Sequence, residues 1–97
     1  MRLITEKKSV LKQKYGYGIN KWASGAIYEG NWKNNKANGL GIFWHTSGDI
    51  YVGEFENDQA SGFGVYVYST GSKYIGNWNA DLQEGIGEEI WLDGAKY

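Results

Sequence analysis

The sequence repeats itself every 23 residues, and this periodicity constrains the fold more than any other feature of the chain. The repeat is most visible in its tyrosines, which are Tyr28, Tyr51, Tyr74 and Tyr97. The next column holds Gly30, Gly53 and Gly76, and the column after it holds Trp32, Phe55 and Trp78. A chain built from one short unit buries apolar surface by stacking neighbouring units, so the fold should grow along one dimension.

Glycine follows the same period without exception. All 15 glycines fall into four columns, and the first of these is the column of Gly30, Gly53 and Gly76. The other three columns are Gly16, Gly39, Gly62 and Gly85; Gly18, Gly41, Gly64 and Gly87; and Gly25, Gly48, Gly71 and Gly94. Glycine placed so regularly has a structural role, which excludes a flexible glycine-rich linker.

Each unit therefore reads Tyr-x-Gly-x-Trp/Phe, six residues, Gly-x-Gly, six residues, and Gly-x-x. This pattern resembles the MORN repeat (membrane occupation and recognition nexus). Three full units cover residues 28–50, 51–73 and 74–96, with half a unit at 15–27 and the start of another at Tyr97. We predict a repeat domain over residues 15–97 and a basic N-terminal tail or cap over residues 1–14.

Strands and turns can be placed within each unit. Aromatic and β-branched residues that alternate between Gly, Asn and Ser clusters predict one β-hairpin per unit. The polar stretch 33–38, with copies at 57–61 and 79–84, is predicted to be the loop inside the hairpin. Thr46-Ser47-Gly48 and its copies at 69–71 and 92–94 suit a three-residue loop that ends in left-handed glycine. The prediction is an all-β fold, an elongated single-layer antiparallel meander of about seven strands.

One strand register places the aromatic rings together. It pairs Gly30 with Gly41 and Gly41 with Gly53, so that Tyr28, Phe43 and Tyr51 share a face with Trp32, Gly39 and Gly41. Glycine opposite a ring leaves room for the ring to lie across the backbone. The residues predicted to form the structural repeat are Tyr28, Gly30, Trp32, Gly39, Gly41, Tyr51, Gly53, Phe55, Gly62, Gly64, Tyr74, Gly76, Trp78, Gly85 and Gly87.

The opposite face is apolar where a solvated face would alternate to polar residues. The residues predicted to contact a partner are Leu40, Ile42, Trp44, Phe63, Val65, Val67, Ile86 and Ile90. Glu29, Glu54, Glu56 and Glu88 fall on the same face and favour a basic or amphipathic helical segment as the partner. Two alternatives stay open: a second copy covers the stripe or pairs with a sheet edge, or the sheet bends and buries part of the stripe on itself.

Residue types that catalysis needs are scarce. The single histidine, His45, occupies a column otherwise filled by Trp22, Tyr68 and Trp91, so we interpret it as an aromatic substitute. The chain has no cysteine, and its Gly-x-Gly elements lack the third glycine of a dinucleotide site and the Lys-Ser/Thr of a P-loop. We predict that the protein is not an enzyme and uses neither cofactor nor metal.

Charge is distributed unevenly along the chain. Residues 1–14 contain five basic residues and one acid, whereas residues 15–97 contain five basic residues and ten acids. The acidic repeat region argues against nucleic acid as a partner. If the protein binds anionic lipid instead, the predicted contacts are Lys7, Lys8, Lys12 and Lys14.

The resemblance implies a non-catalytic scaffold or protein-interaction module, a structural subunit of a larger assembly such as a cytoskeletal or ciliary complex like the axonemal radial spoke. It leaves two alternatives, a membrane-apposition or phospholipid-binding module and the targeting segment of a larger enzyme such as a phosphatidylinositol phosphate kinase. The sequence has no run of 18 apolar residues and no apolar signal region. We therefore expect a cytoplasmic location, including the cytoskeleton or the cilium.

Overall fold

The computed structural model describes residues 15–91, which form a single antiparallel sheet. Its strands are β1 (Gly16–Lys21), β2 (Ile27–Lys33), β3 (Lys36–Trp44), β4 (Ile50–Glu56), β5 (Gln59–Val67), β6 (Lys73–Asn79) and β7 (Leu82–Ile90). The strands lie side by side in chain order, and the molecule measures 46 by 25 by 19 Å. The predicted elongated meander of seven strands is confirmed.

The strand register aligns one glycine from every strand across the whole sheet. This row is Gly18, Gly30, Gly41, Gly53, Gly64, Gly76 and Gly87. It contains both predicted pairs, Gly30 with Gly41 and Gly41 with Gly53. In the neighbouring row Tyr28 pairs with Phe43, and Phe43 pairs with Tyr51. The 23-residue period therefore returns each ring to the same face of the sheet.

Tyrosine rings lie across the glycine row and form one side of the sheet, termed the ring face. A Cβ atom built on Gly41 would lie 2.4 Å from the hydroxyl of Tyr28, so no larger residue fits under this ring. The same arrangement recurs with Tyr51 over Gly64 and Tyr74 over Gly87. The hydroxyl of Tyr28 donates a hydrogen bond of 2.8 Å to the carbonyl of Asn31. The glycines thus let the tyrosine rings pack directly on the sheet, where an ordinary domain would have a second layer of structure.

The rings also pack against one another along the sheet. Tyr28 contacts Trp32 edge to face at 5.0 Å between ring centroids, and it contacts Phe55 of the next unit at 4.9 Å. Such pairs contribute about 0.5–1.5 kcal/mol each beyond the burial of their area. The buried side chains are Trp22, Ala26, Tyr28, Trp32, Ala37, Phe43, Tyr51, Phe55, Ala60, Tyr66, Tyr74 and Trp78. The core of this protein is the ring face itself.

The loop inside each hairpin is shorter than predicted. Asn34 and Asn35 have φ angles of 51° and 64°, as a two-residue type I′ turn requires, and the strand resumes at Lys36. The turns at 57–58 and 80–81 have the same conformation. The prediction of loops over 33–38, 57–61 and 79–84 is therefore wrong. The extra residues form a bulge in β3. Gly30 pairs with Gly41 and Trp32 pairs with Ala37, so β3 has more residues between these two pairs than β2 has.

This bulge also moves one glycine column off the ring face. Gly39 has a φ of +92°, and a Cβ there would lie 3.3 Å from the Cβ of Asn31, whose side chain is exposed. Gly62 has a φ of +95° and would meet the carboxylate of Glu54 in the same way. The predicted position of Gly39 beside Tyr28 is wrong, because a left-handed bulge residue interrupts the alternation of the strand.

The loops between units are as predicted. The N–H of His45 donates to the carbonyl of Asp49 at 2.8 Å, which closes a loop of three residues, and Gly48 has a φ of +97°. The loop over 69–71 repeats this geometry. The copy predicted at 92–94 and the tail or cap predicted at 1–14 lie outside the described residues.

Candidate interaction surface

The side of the sheet opposite the ring face, termed the open face, is the candidate functional site. Its central row is Ile19, Glu29, Ile42, Val52, Val65, Ile75 and Glu88. The row nearest the three-residue loops is Lys21, Ile27, Trp44, Ile50, Val67, Lys73 and Ile90. The row nearest the type I′ turns contains Tyr17, Asn31, Leu40, Glu54, Phe63 and Asn77. The register thus brings together the predicted contact residues, except Ile86, whose side chain is not among those described.

Several apolar side chains of the open face are strongly exposed. Leu40 exposes 64% of its surface and Phe63 exposes 54%. Tyr17, Ile19 and Val52 are exposed as well. The other predicted contact residues with described side chains are half-buried between their neighbours: Ile42, Trp44, Val65, Val67 and Ile90. Within residues 15–91, nothing folds back over Leu40 or Phe63. The alternative in which the sheet buries this stripe on itself does not hold for these two side chains.

Carboxylates are set among the apolar residues. Glu29 lies between Ile19 and Ile42 in the central row, and its carboxylate accepts a hydrogen bond from the hydroxyl of Tyr17. Glu54 pairs with Leu40, and its carboxylate accepts a bond of 2.7 Å from the backbone N–H of Phe63. Glu54 therefore stabilises the bulge of β5, whereas Glu29 lies in the apolar stripe itself.

A shallow groove marks the part of the open face between β1 and β4. It has a volume of about 340 Å³. Its side chains are those of Tyr17, Glu29, Asn31, Leu40, Ile42 and Val52, and glycine backbone forms its floor. An apolar side chain of a partner would find apolar walls there, with a carboxylate at one end. The groove therefore suits a segment that carries both apolar and basic residues.

Sequence reasoning missed the aspartates that join one unit to the next. The N–H of Ala37 donates to Asp58 at 2.7 Å, and the N–H of Ala60 donates to Asp81 at 2.6 Å. The signal was present in the sequence, since Asp58 and Asp81 share a column of the repeat. These bonds hold adjacent hairpins in register and thereby keep the rows of the open face aligned.

His45 packs edge to face against Phe43 at 5.9 Å, which confirms that it fills the aromatic column. In the part of the chain that the structure describes, no group of His, Cys, Asp or Glu is arranged to hold a metal ion. Residues 15–91 also contain no helix that could span a membrane. The proposed lipid contacts Lys7, Lys8, Lys12 and Lys14 lie outside the described residues.

Comparison with known families gives one result. The family model described as MORN repeat matches residues 28–50, 51–73 and 74–96, which are the boundaries of the three units read from the sequence. Together these matches span most of the chain. A comparison with curated proteins finds no match.

Proposed function

The chain belongs to the MORN-repeat family, and we propose that it is a non-catalytic scaffold that binds a protein partner on its open face. MORN repeats are protein or membrane interaction modules. The observation that carries the proposal is the exposure of Leu40 and Phe63, above which residues 15–91 place no second layer. Contiguous apolar surface on a folded domain is typical of an interaction site.

The charge of the open face supports a basic, amphipathic partner segment. Glu29 and Glu88 lie in the central row, and residues 15–97 as a whole carry ten acids against five bases. A helix with one apolar side would cover Leu40 and Phe63, and lysine or arginine at its borders would meet the carboxylates. This is the partner that we propose; if the capture experiment below recovers the chain's own sequence instead, the open face binds a second copy.

The wider setting is part of the same proposal. A sheet that is built for contact along its length suits a structural subunit of a larger assembly, and the resemblance in the sequence favours a cytoskeletal or ciliary one. A cytoplasmic location, including the cytoskeleton or cilium, stays a prediction. An enzyme elsewhere in a longer chain would use this module for targeting, which leaves the role of the open face unchanged.

Affinity capture with matched variants tests the proposal. Phe63→Glu places a charge at an exposed position of the open face, and Thr46→Glu places the same charge on an exposed loop. We expect a protein that the unmodified chain and Thr46→Glu recover and that Phe63→Glu loses. Once purified, the recovered protein should bind Phe63→Glu roughly tenfold or more weakly than it binds the unmodified chain, as expected for the loss of an aromatic anchor. Equal recovery by both variants contradicts the proposal.

Anionic vesicles form the second arm of the same experiment. If the membrane alternative holds, the intact chain binds vesicles at low salt, and neutralising Lys7, Lys8, Lys12 and Lys14 abolishes binding. Loss of vesicle binding in Phe63→Glu, with no protein recovered, would assign the open face to lipid and overturn the protein proposal.

A further inference from the structure

One column of the ring face changes its chemistry in the third unit. Phe43 and Tyr66 occupy this column in the first two units, and both are buried. Glu89 occupies it in the third unit, where it pairs with Tyr74 just as Tyr66 pairs with Tyr51. A carboxylate therefore stands where the earlier units have an aromatic ring.

A cavity of about 560 Å³ opens beside Glu89. Its aromatic walls are Tyr68 and Trp91. These two residues belong to the column of Trp22 and His45, whose rings both lie 5.9 Å from the ring of Phe43 in the first unit. By the same repeat, Tyr68 and Trp91 flank Glu89. The volume lies in the range of small-molecule and side-chain sites.

Glu89 is the acceptor that a ligand in this cavity would meet. The other carboxylate of the lining, Asp49, already accepts bonds from the hydroxyl of Tyr66 at 2.6 Å and from the N–H of Ser69 at 2.7 Å. Within residues 15–91, by contrast, the carboxylate of Glu89 has neither a hydrogen-bond nor an ion-pair partner. Lys73 also lines the cavity, and its charge offsets one of the two carboxylates.

We propose that this cavity binds a guanidinium group, as carried by an arginine side chain. A guanidinium is planar and stacks on aromatic rings such as Tyr68 and Trp91. Its N–H donors would bond the carboxylate of Glu89 and the hydroxyls of Ser47 and Ser72, which are also part of the lining. The cation would replace the ring that this column lacks. Glu89 lies on the ring face, whereas Lys73 and Ile90 of the lining belong to the end row of the open face. The inference is argued from Glu89 and the aromatic walls, and does not depend on the function proposed for the open face.

The test is a titration of the full chain followed by amide and indole NMR signals. The probes are free arginine and an arginine residue blocked at both ends by amides, with the corresponding citrulline compounds as neutral isosteres. We expect saturable shifts at the indole N–H of Trp91 and the amides of 69–72 with arginine and not with citrulline. Binding of the blocked residue alone assigns the ligand to a partner protein, whereas binding of free arginine assigns it to a small molecule.

Two substitutions separate recognition from folding. Glu89→Gln keeps the shape of the side chain and should weaken arginine binding by roughly tenfold or more, since a bond to a charged group is lost. Glu89→Tyr restores the ring found in the second unit and should abolish binding while the other repeats keep their NMR signals. Saturable binding that survives Glu89→Gln, equal shifts with citrulline, or no saturation with either arginine probe overturns the proposal.

Discussion

The carboxylate of Asp81 accepts a hydrogen bond of 2.6 Å from the backbone N–H of Ala60, which lies 21 residues earlier in the preceding unit. The backbone N–H of Asp81 returns a bond of 2.9 Å to the carbonyl of Ala60. Asp58 makes the same two bonds with Ala37. Each type I′ turn is thus attached to the second strand of the unit before it, so neighbouring hairpins are linked by more than their ladder bonds.

Removing this carboxylate should destabilise the sheet. Asp81 is buried and has a φ of 69°, so Asp81→Gly removes the acceptor without backbone strain. The unpaired N–H of Ala60 should lower the free energy of unfolding by about 1–3 kcal/mol. Asp81→Asn keeps an oxygen acceptor and should lower the free energy of unfolding by less. Urea unfolding measures both, and equal stability of Asp81→Gly and the unmodified chain would show that the link is unimportant.

The turn at Ala80 should be improvable. Ala80 has a φ of 50°, a conformation that asparagine tolerates better than alanine, and the corresponding residues of the other units are Asn34 and Asn57. Ala80→Asn should therefore raise the free energy of unfolding by about 0.5–1 kcal/mol. Ala80→Val serves as the control and should lower it, because a β-branched residue fits this conformation poorly. A stability that ranks valine above asparagine would contradict the turn geometry.

The glycine row should tolerate alanine only where no tyrosine covers it. A Cβ at Gly41 would lie 2.4 Å from the hydroxyl of Tyr28, whereas at Gly18 it would meet the ring of Trp32 at 3.3 Å. Gly41→Ala should thus lower the free energy of unfolding by about 1–3 kcal/mol or more through overpacking, and Gly18→Ala should cost less. Thermal unfolding of both variants tests this difference.

Stability should fall at alkaline pH. Burial, with a smaller contribution from nearby carboxylates, raises the pKa of Tyr28 and Tyr51 well above the ordinary tyrosine value, and the pKa of Tyr66 is raised by burial and by Asp49. The unfolded chain then releases these protons first, so the stabilisation is complete below a pH of about 10 and is lost above it. The slope per tyrosine rises toward about 1.4 kcal/mol per pH unit as the tyrosines of the unfolded chain become ionised above a pH of about 10. Urea unfolding at about pH 9 and pH 11 measures the loss, and Tyr66→Phe should reduce the slope.

The register was predictable because it depends on residue types that recur at fixed spacing. The pairing of Gly30 with Gly41 is a register that places the tyrosine rings over glycine, and the structure has that pairing. The loops over 33–38 were mispredicted because polar residues occur both in a turn and in a bulge, and composition does not separate the two. The change of side at Gly39 follows from its positive φ, which depends on how β2 and β3 fit together.

The sequence predicts which residues lie on the open face, but it does not predict how exposed each of them is. Alternation along the strands assigns Leu40, Phe63 and Val65 to one side of the sheet, as the structure has them. Exposure depends on the cross-strand neighbours: Val65 lies between Val52 and Ile75 and is half-buried, whereas Leu40 and Phe63 pair with polar residues and are strongly exposed. Phe63 is consequently a better position than Val65 for a charge that must not disturb folding.

Methyl NMR of the chain with its recovered partner segment tests the central claim most directly. The methyl groups of Leu40, Val52 and Val65 report on the open face, and those of the buried Ala37 and Ala60 report on the ring face. We predict that the partner shifts the signals of the first group and leaves those of the second in place, and that Phe63→Glu removes the shifts while Thr46→Glu keeps them. Shifts confined to Ala37 and Ala60, or binding that survives Phe63→Glu, would contradict the assignment of the open face as the docking surface.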